Sequence, residues 1–136
     1  NSIGYVGSEY AFAQKIAYAK IQNQDGEFVA PSSASISAAA SGNIPADTRT
    51  SITNSAAKGA YPISTFTWMI IYKEQNYSDR SKEQAMATLD LIQYILSDEA
   101  QKITAFVHYA PLPTKAKEIS LANLKTVTYN GEAILQ

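Results

Sequence analysis

The sequence predicts an α/β fold in which a sheet is flanked by helices, and three observations carry that expectation. Pro62 to Lys73 alternates its side chains at the strand period, Ser81 to Leu96 repeats apolar residues at the helical period, and strand-like and helix-like segments alternate along the chain. With 136 residues, 46% hydrophobic and 17% charged, the chain is long enough to bury a core and far from the composition of a disordered tail.

Taken in order, Ser2 to Val6 reads as a short buried strand, and Ser8 to Ile16 as one or two helical turns with Tyr10, Phe12 and Ala13 toward the core. Ala17 to Asn23 and Glu27 to Val29 flank Gln24-Asp25-Gly26, a hairpin signal because the turn needs a positive φ that Gly supplies cheaply. Ser32 after Pro31 is a helix N-cap, and the Ala-rich run to Ala40 with Gly42 behind it has the layout of a closely packed helix. Asn43 to Gly59 is polar and punctuated, so it is expected to be loop with a brief extended piece near Thr50 to Thr53.

Pro62 to Lys73 is the best strand, with Phe66, Trp68, Ile70 and Tyr72 on one face, and its apolar far end predicts a central position in the sheet. Ser81 with Gln84 forms a capping box ahead of Ala85, Leu89, Ile92, Ile95 and Leu96, which predicts a helix to Leu96. Ser97-Asp98-Glu99 caps a second helix to about Val107, Tyr109-Ala-Pro-Leu-Pro113 breaks it, and Thr114 opens a third. Asn130-Gly131 marks a turn between short extended flanks in the tail.

Composition excludes several function classes. A formal net charge of -1, with 11 basic and 12 acidic residues spread along the chain, leaves no electrostatic footprint for nucleic acid. The absence of Cys removes thiolate catalysis, disulfides and Cys-based zinc sites. Phe66 to Tyr72, the longest apolar run, is too short to cross a bilayer. The chain begins at Asn1 without an initiator Met or a leader, as expected of a processed chain or a piece of a longer protein.

No catalytic constellation emerges. His108, the single histidine, has neither a Ser-His-Asp order nor metal-ligand spacing around it, so a structural role is the simpler reading. Glu9 with Tyr10, and Asp47 with Arg49, are too isolated for a paired-carboxylate or metal site, and Gly4, Gly7 and Gly59 do not make a phosphate-cradling loop. Arg49 and Arg80 both lie in stretches that read as exposed loop. The aromatics Tyr61, Phe66, Trp68 and Tyr72 alternate at strand spacing and could stack a sugar or base, but core packing is the better explanation for most of them. No cofactor, catalytic residue or metal ligand is expected.

Three separated segments, Ser51-Ile-Thr-Asn54, Ala60-Tyr-Pro-Ile-Ser-Thr-Phe-Thr-Trp-Met-Ile-Ile-Tyr-Lys73 and Tyr109-Ala-Pro-Leu-Pro113, occur in an order that resembles the C-terminal half of the phosphate-binding proteins serving bacterial phosphate ABC importers. That resemblance implies part of a two-lobe solute-receptor fold and not an enzyme. Residues 1–72 then complete the second lobe with its return strand, and residues 73–136 add the helical part of the first lobe. It implies hinge closure on inorganic phosphate, docking to a membrane permease, and a periplasmic or extracellular location, with a lipid anchor as one way of holding the protein there.

The family holds phosphate with helix N-termini, hydroxyls, an Arg and an Asp. No segment here resembles its Arg-Ser-Asp-Gly-Ser-Gly-Thr type of loop, so the ligand residues are expected outside this sequence. Ser64, Thr65 and Thr67, where the family chain crosses between lobes, are the candidates for cleft hydroxyls within it. The expected partners are phosphate, a permease, and either the N-terminal half of the same protein or a second copy that exchanges strands. The alternative is a stand-alone interaction or assembly module, without a transport role, that reuses this half of the fold.

Overall fold

A computed structural model describes residues 2–135. The element order is α1 (Ser8–Ala13), β1 (Ile21–Gln22), β2 (Phe28–Val29), α2 (Ser33–Ala39), α3 (Lys82–Leu96), α4 (Asp98–Phe106), α5 (Thr114–Leu124), β3 (Thr128–Tyr129) and β4 (Glu132–Ala133). The fold is mixed α and β, with small sheets accompanied by helices. The chain divides into two compact units, one of residues 1–43, 51–66 and 101–113, the other of residues 44–50, 67–100 and 114–136.

In the first unit, β1 and β2 pair antiparallel with Ile21 opposite Val29. The connection closes as a turn in which the Gly26 amide reaches the Asn23 carbonyl at 3.1 Å. Gly26 takes φ of 79°, the conformation for which a side chain would be penalised. The Asn23 carboxamide oxygen braces the loop by accepting from the Asp25 and Glu27 amides.

Helix α2 starts at Ser32, whose hydroxyl accepts from the Ser35 amide at 3.1 Å while the Ser35 hydroxyl accepts from the Ser32 amide at 2.9 Å. Two N–H groups that a helix start leaves without partners are thereby satisfied. The core of the unit is Ala39, Ala40, Ile52 and Ala60, with Ala38, Ala57 and Phe66 packed against it. Small side chains let the loop after α2 approach the helix closely, and the Tyr61 amide donates to the Ser35 carbonyl at 3.0 Å.

In the second unit, α3 carries a stripe of Ala85, Leu89, Ile92 and Leu96, buried at helical spacing, and packs against α5. Its N-terminus has the capping box expected from Ser81 and Gln84. Leu89 is 0% exposed, a burial that stabilises the fold by about 2 kcal/mol. The hairpin β3–β4 turns through Asn130 at φ of 54° and Gly131 at φ of 79°, the backbone of a type I′ turn. Helix α4 begins in this unit, with the Ser97 hydroxyl accepting from the Ala100 amide at 3.2 Å, and from Gln101 onward belongs to the first.

Two expected strands are absent among the described residues. Ser2 to Val6 joins no ladder, and Ile3, Tyr5 and Val6 are exposed. Ser64 to Tyr72 runs without helix, turn or bend but also without a ladder, and its expected central position is not realised, since Trp68, Met69, Ile70 and Tyr72 are exposed. The physical reason is common to both. A strand exists only when its backbone groups pair with a second backbone, and neither segment is part of a ladder among the described residues. At α1 Ala11 is buried and Phe12 is half-buried against Tyr18 and His108, whereas Tyr10 and Ala13 are exposed, because so short a helix buries only one narrow face.

Candidate functional site

Ser64 is 4% exposed, and its hydroxyl donates to the Tyr61 carbonyl at 2.8 Å. The Ser64 carbonyl in turn accepts from the Thr53 hydroxyl at 3.2 Å. Thr65 is exposed, with its hydroxyl 3.2 Å from the carbonyl of Phe66. Thr67 is exposed and belongs to the second unit. Of the three hydroxyls, that of Ser64 therefore serves the local backbone.

Two densely bonded charges stand out among the described residues, Glu74 and Arg80, and Glu74 was not singled out by the sequence. Its carboxylate accepts from the Asn76 amide at 2.9 Å, the Asn130 and Gly131 amides at 3.0 Å each, and the Thr128 hydroxyl at 2.8 Å. The amides of Asn76 and Gly131 are the main reason its pKa falls from 4.5 to about 2. Backbone completes the join: the Thr128 amide donates to the Lys73 carbonyl at 2.9 Å and the Gln75 amide to the Thr128 carbonyl at 2.8 Å, a one-residue parallel bridge. Glu74 clasps the tip of the β3–β4 hairpin, and with its lone pairs occupied by the protein it is a fastener.

Arg80 follows the same pattern, although it lies in a largely exposed loop as its sequence suggests. One terminal nitrogen donates to the Gln75 side-chain oxygen and the Tyr77 hydroxyl, both at 2.8 Å. The other donates to the Gln84 carbonyl at 2.9 Å and to the Thr88 hydroxyl. The guanidinium also lies 5.5 Å from the Tyr77 ring centroid. Fully buried Gln75 is thus matched to a donor, and the Tyr129 hydroxyl donates to the Arg80 carbonyl at 2.8 Å. Arg49 remains exposed and pairs with Asp47 at 2.9 Å, which lowers the Asp47 pKa.

His108 ends α4. The His108 amide reaches the Ala105 carbonyl at 3.2 Å and the Tyr109 amide the Thr104 carbonyl at 3.1 Å, with His108 at φ of 68°. That is the Schellman ending usually given to Gly. Its ring meets Phe12 edge to face at 6.0 Å between centroids. Beside it the Glu9 carboxylate, bonded to the Tyr109 phenol, pushes the phenol above its ordinary pKa. Among the described residues no group of three or more His, Asp or Glu could hold a metal ion. Nor is any helix of these residues long and apolar enough to cross a membrane.

The Ser64 hydroxyl and the charges of Glu74 and Arg80 thus all serve neighbouring parts of the chain. Over most of its length the chain is similar to part of the phosphate-binding proteins named PstS. It is 36% identical over 115 residues to the phosphate-binding protein PstS of Xylella fastidiosa strain Temecula1, covering 82% of this chain and 30% of that protein. The PstS of Haemophilus influenzae is 30% identical over 128 residues, covering 92% of this chain and 37% of that protein. The PstS of Methanocaldococcus jannaschii is 28% identical over 129 residues, covering 88% and 33%. The chain therefore spans about a third of the length of the curated relatives it matches. No family model matches it.

Proposed function

We propose that this chain forms part of a phosphate receptor that closes about a hinge on inorganic phosphate and delivers it to the permease of an ABC importer, outside the cytoplasmic membrane. A lipid anchor on the receptor belongs to the same proposal. The observation that carries it is the match, over 82% to 92% of the chain, to proteins from two bacterial genera that are named for binding phosphate. Receptor and not enzyme is the reading that fits an interior of caps, turns and clasps.

In this proposal residues 1–72 contribute to one lobe and residues 73–136 to the other. Most of the anion cradle comes from polypeptide outside these residues. Ser64, Thr65 and Thr67 remain the candidate cleft hydroxyls, Thr67 foremost because Ser64 already serves Tyr61. A dehydrated phosphate needs several converging donors, and the Arg80 donors are engaged elsewhere. Isothermal titration with inorganic phosphate tests the proposal: the chain alone should bind weakly or not at all. Tight one-to-one binding by these residues would mean that the cradle lies within them. The assembly-module alternative is favoured by one observation, the exposed apolar side chains from Trp68 to Tyr72.

A further inference from the structure

Asn130-Gly131 is the single Asn-Gly pair of the sequence, and it forms the tip of the β3–β4 hairpin. Such a pair carries a chemistry of its own. Without a Cβ on the following residue, the Gly nitrogen closes readily on the carbonyl carbon of the Asn side chain, which makes Asn-Gly a dipeptide open to deamidation. The tip is exposed, and a Cβ at Gly131 would meet no atom within 4 Å, so packing obstructs neither water nor ring closure.

What opposes the reaction is bonding. The ring closes only when the Gly131 nitrogen loses its proton and the Asn130 carboxamide swings over it. The Gly131 amide donates to the Glu74 carboxylate at 3.0 Å, and removing its proton would set an amidate against a carboxylate. Glu74 stays ionised throughout the neutral range, since its pKa falls to about 2. The Asn130 amide donates to the other oxygen of the same carboxylate at 3.0 Å, and the Asn130 carboxamide oxygen accepts from the Asn76 side chain. The attacking nitrogen and the side chain it would attack are thus both held by residues more than 50 positions away.

We propose that Asn130 is a latent deamidation site which Glu74, acting with Asn76, keeps closed, so that the clasp sets the chemical lifetime of the hairpin. When the clasp opens, the Gly131 nitrogen, its proton taken by hydroxide, forms a bond to the Asn130 Cγ. The Cγ–Nδ2 bond breaks, and that nitrogen takes a proton from water and leaves as ammonia. Water then opens the cyclic imide at one of its two carbonyls, giving aspartate or isoaspartate. Either product places a carboxylate beside Glu74, whose oxygens already take four donors, and isoaspartate also adds a methylene to the backbone of a two-residue turn. The clasp then does not re-form, and the change runs one way. None of this depends on what the chain binds.

The test incubates the chain at mildly alkaline pH and follows conversion of the peptide containing Asn130 by mass spectrometry, both in native buffer and unfolded in guanidinium chloride. The native chain should deamidate at Asn130 about tenfold more slowly than the unfolded chain, or slower still. Glu74→Ala, with the helical circular dichroism unchanged, should recover most of that difference, and Asn76→Ala a smaller part. Asn130→Asp, which installs the charge of the product directly, should speed hydrogen exchange of the Gly131 amide at neutral pH. Equal rates in the native and unfolded chain would overturn the proposal without recourse to any variant. A Glu74→Ala chain that deamidates as slowly as the unaltered one would overturn the role of Glu74 and assign the protection to the turn itself. Unchanged Gly131 exchange in Asn130→Asp would overturn the one-way loss of the clasp.

Discussion

Residues 67–72 and residues 73–75 are neighbours in sequence and opposites in structure. The first run, Thr-Trp-Met-Ile-Ile-Tyr, has every intrinsic mark of a strand yet leaves Met69 to Ile71 unpaired. The second, Lys-Glu-Gln, has poor strand propensity, yet both of its flanking backbone groups bond Thr128 and its central carboxylate holds the hairpin tip. What separates them is the presence of a second backbone. Propensity without a partner gives an open edge, and a partner with one well-placed carboxylate gives order in spite of propensity.

The comparison can be broken most forcefully through the core that supports the ordered side. Leu89→Ala should lower unfolding free energy by about 3 kcal/mol, from lost burial and the cavity left behind α3. Ile70→Ala, an equally apolar truncation on the open edge, should change it by no more than about 0.5 kcal/mol. Urea denaturation of the two variants gives both numbers, and similar losses would mean that the edge is packed.

A smaller effect is expected at the end of α4. His108 occupies a left-handed position at φ of 68°, so His108→Gly should stabilise the chain by roughly 0.5 kcal/mol after loss of the Phe12 contact. A destabilisation above about 1 kcal/mol in the same assay would show that the ring contact outweighs the backbone strain.

Least in global stability, but most informative for the ordered side, is the Glu74 clasp. Its folded pKa lies below the unfolded value, so the clasp contributes fully above pH 4.5 and is lost as pH falls toward about 2. Exchange of the Asn130 and Gly131 amides should therefore depart from intrinsic pH behaviour only across that window. Glu74→Gln should raise their exchange at neutral pH while leaving α3 amides unchanged. The carboxylate is exposed and screened, so the effect belongs to the hairpin and not to the whole chain.

Local chemistry was readable from sequence and distant pairing was not. The N-cap at Ser32, the capping box at Ser81, and the turns at Gly26 and Asn130-Gly131 need only residues within a few positions, and each formed where the side chains dictated. The expected strand at Pro62 to Lys73 was a statement about propensity, and no described backbone pairs with Met69 to Ile71. Glu74 escaped notice because its partners Thr128, Asn130 and Gly131 lie more than 50 positions away, and Arg80 because its acceptors include a buried Gln and a helical carbonyl. Ser64, the candidate hydroxyl nearest a regular environment, turned out to serve the Tyr61 carbonyl.

Residue-resolved amide hydrogen exchange on the chain alone puts the central contrast to the most direct test. Met69, Ile70 and Ile71 should exchange near the rate of an unfolded peptide, while Gln75 and Thr128 are slowed because their amides donate to the Thr128 and Lys73 carbonyls respectively. Protection of Met69 to Ile71 comparable to that of Gln75 would contradict the open edge.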